Sequence, residues 1–294
     1  MKRLIPLVLL TLALGAQDFS GYSIEKVFGG YKFAEGPSWS PEKFLVFCDV
    51  PTNRILRWVP GGKAEPFREN SEGATGTAFD VQGRMYICES RGRRVIRVDH
   101  KHNKTETLAE KWEGKRLNAP NDIAVRRDGN AYFTDPAFGY QDATRELSFY
   151  GVYRIAPKGE VEVIAKPKGR PNGIALSASG RLLYVTNSDE HNIRVYDLDK
   201  AGAASNERIF AANIEGVPDG IRLDEKGNVY VAATHVIVYS PEAKVLHQFD
   251  FSEKPSNLAF GDSDNATLFI TARTSVFRVR LNVKGAVAYQ PQQQ

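Results

Sequence analysis

The chain is poor in the features that mark several large protein classes. Among 294 residues there is one long apolar run, Leu4-Ile-Pro-Leu-Val-Leu-Leu-Thr-Leu-Ala-Leu-Gly-Ala16, and it is shorter than the ~20 residues a spanning helix needs, which excludes a permanent anchor there. No Lys/Arg run is interleaved with stacking aromatics, and Arg91 to Arg94 is short and lies in a hairpin, so nucleic acid is excluded as a partner. No Gly-x-Ser-x-Gly stretch occurs, which leaves covalent acyl transfer without its nucleophile. A phosphate-cradling Gly loop is missing too. After residue 16 nothing has the period of a long amphipathic helix.

Charge is mixed rather than one-sided. The formal net charge is +4, but Lys2 and Arg3 supply two of those charges and precede the apolar run, the layout of a secretory signal. Residues 1–16 read as an export signal cut near Gly15 or Ala16, with no Cys behind it for lipid attachment. The product is expected in the periplasm or outside the cell, off the membrane once the signal is removed, as a monomer or weak dimer. The tail, residues 289–294, is low in complexity and is expected to be disordered.

What the chain has in abundance is one phrase, repeated. Glu35-Gly-Pro-Ser-Trp, Thr75-Gly-Thr-Ala-Phe, Asn121-Asp-Ile-Ala-Val, Asn172-Gly-Ile-Ala-Leu, Asp219-Gly-Ile-Arg-Leu and Ser256-Asn-Leu-Ala-Phe recur about 37 to 51 residues apart. After each comes a polar turn and an apolar strand such as Ala131-Tyr-Phe-Thr or Leu183-Tyr-Val-Thr. A third alternating strand and, in five copies, a weaker fourth follow. Six all-strand repeats of that period are propeller blades. The fold class is therefore all-β: a six-bladed β-propeller with four-stranded blades over residues 17–288. The run Tyr22 to Phe28 precedes the first phrase and is expected to close the ring by joining the last blade, since an open circle leaves an edge exposed. An insertion, Phe138 to Ser148, is expected to form a loop over one face. Cys48 and Cys88 fall at the same place in consecutive repeats. Equivalent places splay apart around an axis, and a bridge needs Cα atoms within ~7 Å, so both read as buried free thiols.

Each phrase opens on an oxygen-bearing residue, and the innermost strand of every blade lines the channel. Glu35, Thr75, Asn121, Asn172, Asp219 and Ser256 thus converge on one axis. Without Cys or His the set suits a hard cation, Ca²⁺ or Mg²⁺, with Zn²⁺ and Mn²⁺ left open. Thr75 and Ser256 read as turn formers. Glu35, Asn172 and Asp219 read as metal ligands, because two carboxylates facing one channel repel unless a cation lies between them. His100, His102 and His247 read as solvated, whereas for His235, near the end of an inner strand, a place at the channel stays open.

Ala34-Glu-Gly-Pro-Ser-Trp39, Arg116-Leu-Asn-Ala-Pro-Asn-Asp122, Phe133-Thr-Asp-Pro-Ala-Phe-Gly-Tyr140, Arg170-Pro-Asn-Gly-Ile, Val217-Pro-Asp-Gly-Ile and Leu268-Phe-Ile-Thr-Ala-Arg-Thr274 closely resemble the gluconolactonase family, which includes regucalcin. The resemblance spans roughly residues 20 to 285. It implies a six-bladed propeller with one divalent metal in the channel, held by Glu35, Asn172 and Asp219, and a substrate-holding Asn at Asn121. It also implies that Asp219 acts as general base in lactone hydrolysis. One departure concerns specificity: the regucalcin branch has an Arg two places before its substrate Asn, where this chain has Ala119, and Arg116 is the candidate replacement.

The function expected on this basis is metal-dependent opening of a sugar-type lactone. The cation polarises the carbonyl, and either Asp219 or a metal-bound water serves as base. Asn121, Arg116 and Tyr140 would hold substrate, with Tyr140 or Phe138 over the mouth. Two rivals stay open: phosphotriester or fluorophosphate hydrolysis at the same site, and a non-catalytic binding propeller with a structural cation.

Overall fold

The computed structural model describes Phe19 and residues 21–287. The export signal and the tail expected at the two ends lie outside these residues.

Each blade is a four-stranded antiparallel sheet, and there are six. Blade one consists of Ala34–Trp39, Leu45–Asp49, Arg54–Trp58 and Glu65–Glu69. The inner strands of blades two to six are Ala74–Phe79, Ile123–Val125, Pro171–Leu176, Ile221–Leu223 and Pro255–Gly261. Second strands such as Leu45–Asp49, Met85–Glu89 and Ala131–Asp135 are buried along their whole length, because both their faces meet a neighbouring blade. That is why they read as continuous apolar runs, while an outer strand such as Lys104–Ala109 is largely exposed. The core lies between blades: Tyr86, Cys88 and Val95 of blade two pack with Ile123, Phe133 and Tyr153 of blade three.

Ring closure follows the expectation from the sequence. The first strand, Ile24–Gly29, pairs with Ser275–Arg280 as the outermost strand of blade six. Termini more than 200 residues apart thereby share one sheet. Trp39 of blade one stacks on Phe269 of blade six, centroids 5.5 Å apart and planes within 4°.

Turns are built by aspartates. Asp80 Oδ1 accepts the N–H groups of Gln82 and Arg84, both at 2.9 Å, and Asp224 Oδ1 those of Lys226 and Asn228, also at 2.9 Å. Outside the blades lie a two-residue ladder between Lys111–Trp112 and Lys115–Arg116 and one helical turn, Tyr140–Ala143. Cys48 and Cys88 are buried free thiols.

Candidate active site

The inner strands carry the ring residues on irregular backbone. Pairing with the second strand slips between Glu35 and Ser38, between Ala74 and Thr77, between Pro171 and Ile174, and between Pro255 and Asn257. Such bulges re-aim a side chain that regular pairing would turn into a blade. Gly36 makes one of them possible: its φ is +52°, and a Cβ there would lie 1.6 Å from the Thr75 carbonyl oxygen.

Each ring residue is also pinned by an adjacent blade. Thr134 Oγ1 donates to the Asn172 carbonyl at 2.6 Å and Thr186 Oγ1 to the Asp219 carbonyl at 2.7 Å. Cys48 Sγ occupies the equivalent place and donates to the Thr75 carbonyl at 3.1 Å. Thr75 and Ser256 turn out to be braces of the same kind. The Thr75 hydroxyl donates to the Asn121 carbonyl at 2.7 Å, and the Ser256 hydroxyl closes the circle on the Ala34 carbonyl at 2.8 Å. Both hydroxyls are thus taken up by backbone between blades, where the sequence had pointed to turns.

Glu35, Asn172 and Asp219 come together. Burial pushes the Glu35 carboxyl up to about 7, against hydrogen bonds from Gly36 N at 2.7 Å and Asn257 Nδ2 at 3.1 Å to its Oε2. Burial, and then the nearby charge of Glu35, hold the Asp219 carboxyl well above the usual carboxylate range; Asn172 is within hydrogen-bonding reach and opposes this. Asp219 keeps partial contact with solvent, as a group on the floor of an open mouth does. The orientation of Asn172 is fixed from behind. Ser188 Oγ donates to the Pro218 carbonyl at 2.9 Å, so it can only accept from Asn172 Nδ2, 3.0 Å away. The amide oxygen of Asn172 is thereby turned away from Ser188.

One tier deeper stand two residues that reasoning from the ring alone missed, Asp122 and Asn257. They occupy the place that Gly36, Gly76, Gly173 and Gly220 hold in the other phrases. A Cβ on Gly76 would fall 2.6 Å from Asp122 Oδ1, and one on Gly220 2.2 Å from Asn257 Oδ1, so these glycines make room for the deeper polar pair. The signal was present as the one Asp and one Asn that break the repeat's glycine. Asp122 is buried and meets Arg222 Nη1 at 3.3 Å. Arg222 in turn borders an apolar cavity at the far end of the channel, lined by Trp39, Phe79, Val125, Leu223 and Phe260 among others.

The donor chemistry fits a hard divalent cation. The carboxyls of buried Glu35 and partly exposed Asp219 lie near enough for the charge of Glu35 to raise the pKa of Asp219, and the amide of Asn172 lies beside Asp219 with its orientation set by Ser188. Among the described residues no group of three or more His, Cys, Asp or Glu side chains gathers as a metal site, so the set depends on the amide.

The remaining candidates are placed at the rim. Asn121 sits in the ring, its N–H donating to the Thr134 carbonyl at 2.8 Å. Its approach is set by Asp135, whose carboxylate accepts the N–H groups of Asn118 and Ala119, both at 2.8 Å. Among the described residues Arg116 makes no contact with the ring; its guanidinium and N–H are taken by Glu146 of the inserted loop. Tyr140 is 61% exposed on the loop's helical turn. Phe138 is the loop aromatic that approaches the site, lying 4.7 Å from the guanidinium of Arg170, two residues before Asn172. His235 is drawn to Asp250, 2.5 Å away.

Comparison with known proteins gives the same picture. Residues 33–274 match the family described as SMP-30/Gluconolactonase/LRE-like region. A gluconolactonase of Zymomonas mobilis is 32% identical over 295 aligned positions, covering 89% of this chain and 82% of that protein. Among solved structures, a gluconolactonase of Xanthomonas campestris superposes with a TM-score of 0.82 at 30% identity, with 92% of each chain covered. A regucalcin of Agrobacterium tumefaciens, 17% identical, shares the fold with a TM-score of 0.77 over 93% of this chain and 98% of that one. A matched region that takes in the inner strand of every blade and every ring residue leaves one assignment: the chain belongs to the SMP-30/gluconolactonase/LRE-like family.

Proposed function

We propose that this protein is a divalent-metal-dependent lactonase that opens a sugar-type lactone. The observation that carries the reading is the meeting of Glu35, Asn172 and Asp219, residues from blades one, four and five, at one place in the channel where both carboxylates are held above their ordinary range. Two relatives at 30% identity or more are gluconolactonases, which directs the choice of substrate.

Glu35, Asn172 and Asp219 would hold the cation, and Ca²⁺ is the first choice for an all-oxygen donor set, ahead of Mg²⁺, Zn²⁺ or Mn²⁺. When bound, such a cation supplies Lewis acidity at the lactone carbonyl and stabilises the oxyanion that forms there. The chain's own groups do the rest. Asn121 offers an amide to the sugar hydroxyls, Phe138 and Arg170 form a fixed wall beside Asn172, and Asp219 takes the proton of the attacking water on a carboxylate oxygen. Asp219 serves as both ligand and base in this reading.

Export is part of the proposal. The sequence reads as a signal cut near Gly15 or Ala16, and Phe19, just after it, is 6% exposed and packed on Tyr230 and Phe249. The test is a pH-stat screen of the purified protein over aldonolactones and phosphotriesters, with each metal and with a chelator. Chelator-sensitive acid release from lactones is expected; turnover of phosphotriesters alone would overturn the reading.

A further inference from the structure

Two residues before each member of the oxygen ring lies a residue of the outer tier of the mouth: Phe33, Gly73, Ala119, Arg170, Val217 and Lys254. Two of the six are cations, and they differ in what holds them. Arg170 is occupied. Its N–H reaches Asp189 Oδ2 at 2.9 Å, its Nε lies 3.1 Å from Oδ1 and 3.0 Å from Oδ2, and its plane is covered by Phe138. Lys254, in blade six, is half-buried, and among the described residues its ammonium has neither an ion pair nor a hydrogen bond. The adjacent carboxylate, Glu253, faces away: Oε2 accepts from Thr274 N at 2.7 Å and Thr274 Oγ1 at 2.8 Å, and Oε1 lies 3.4 Å from Lys26 Nζ. Backbone beneath Lys254 is fixed, because Ser256 is braced to Ala34 and to Thr271 Oγ1 at 2.9 Å. The charge of Lys254 is felt at Asp219, where it works against burial and Glu35.

Charge balance makes this arrangement informative. Glu35 and Asp219 carry two negative charges, which a divalent cation cancels, and Asp122 is matched by Arg222. Lys254 is then left as unmatched positive charge beside a neutral site. An unmatched positive charge at the mouth favours the arrival of a negative group. Opening a lactone generates such a group: water adds to the carbonyl carbon, the ring C–O bond breaks, the ring oxygen takes a proton as an alcohol, and a carboxylate with one proton released remains.

We propose that Lys254 is a substrate-contacting residue whose ammonium meets the negative charge developing on the lactone carbonyl oxygen and remaining on the hydroxy-acid product. This rests on the lactonase reading and adds to it a product-carboxylate contact on blade six.

The test compares wild type with Lys254→Met and Lys254→Arg, all loaded with Ca²⁺ and matched for thermal midpoint. Gluconate binding is measured by calorimetry, and kcat and KM for its lactone by pH-stat. Lys254→Met is expected to weaken gluconate binding at least tenfold and to lower kcat by a similar factor, while KM moves less than twofold. Lys254→Arg should recover most of the binding. Gluconate binding by wild type should weaken with added salt, and that dependence should vanish in Lys254→Met. If Lys254→Met binds gluconate as wild type does and alters only Ca²⁺ affinity, Lys254 is a counter-charge to the carboxylates and the proposal falls while the lactonase reading stands. If wild type turns over no lactone yet binds gluconate through Lys254, the lactonase reading falls and the anion contact stands. Loss of both would overturn both.

Discussion

Ser188 gives its hydroxyl proton to the Pro218 carbonyl at 2.9 Å and therefore receives the amide of Asn172 at 3.0 Å, which turns the oxygen of Asn172 away from Ser188. Orientation of a ligand from behind is commonly worth one to two orders of magnitude in metal affinity. Ser188→Ala should weaken Ca²⁺ binding about tenfold or more, with kcat restored at saturating Ca²⁺. Calorimetric titration of both proteins checks this.

Acidity at Glu35 links the metal to stability. Its carboxyl is raised from 4.5 to about 7 in the folded, metal-free protein. A raised folded-state pKa contributes stability that is complete below the unfolded value and lost as pH rises through the folded one. The chelated protein should thus lose stability between about pH 4.5 and pH 7, by a few kcal/mol. Ca²⁺ favours the ionised form, so its stabilising effect should be larger at pH 8 than at pH 5.5. Thermal midpoints with Ca²⁺ and with chelator at the two pH values decide it.

Cys48 stands where Thr134 and Thr186 stand in other blades, and all three donate to the carbonyl of a ring residue in the next blade. Cys48→Thr should therefore change stability by no more than about 1 kcal/mol, since a hydroxyl replaces the thiol as donor. Burial pushes both thiols well up. Neither should react with a thiol reagent in the native protein, and both should react in denaturant.

The blades were legible in the sequence because their spacing and strand patterns recur, and so was the closing role of the strand at Ile24–Gly29. The convergence of Glu35, Asn172 and Asp219 followed from the same repetition, since equivalent places in a ring face one axis. What lay between the repeats was not legible. Thr75 and Ser256 look like turn formers in one phrase, and only the register between neighbouring blades shows their hydroxyls bound to Asn121 and Ala34. Arg116 is near Asn121 in sequence, yet Glu146, thirty places on, claims its guanidinium. Lys254 carries no motif; its significance comes from the direction in which Glu253 points.

The first strand completes blade six, so a chain beginning after Gly30 leaves Ser275–Arg280 as an open edge. Such a truncation should destabilise the protein by several kcal/mol and favour aggregation, whereas a chain beginning at Gln17 should fold normally. Phe19→Ala tests the packing of Phe19 on Tyr230 and Phe249 and should cost about 3 kcal/mol, the usual price of truncating a buried Phe. Denaturant unfolding of the three proteins measures both.

The central claim is that one cation held by blades one, four and five is the seat of lactone hydrolysis. The direct measurement is a Ca²⁺ titration of the chelated protein, followed by calorimetry and by pH-stat hydrolysis of an aldonolactone in the same samples, beside Glu35→Gln and Asp219→Asn. The account predicts one ion per wild-type chain, activity rising in proportion to occupancy, and loss of at least a hundredfold in both ion affinity and rate in the variants. Full hydrolysis by chelated wild type, or an ion bound equally well by the two variants, would contradict it.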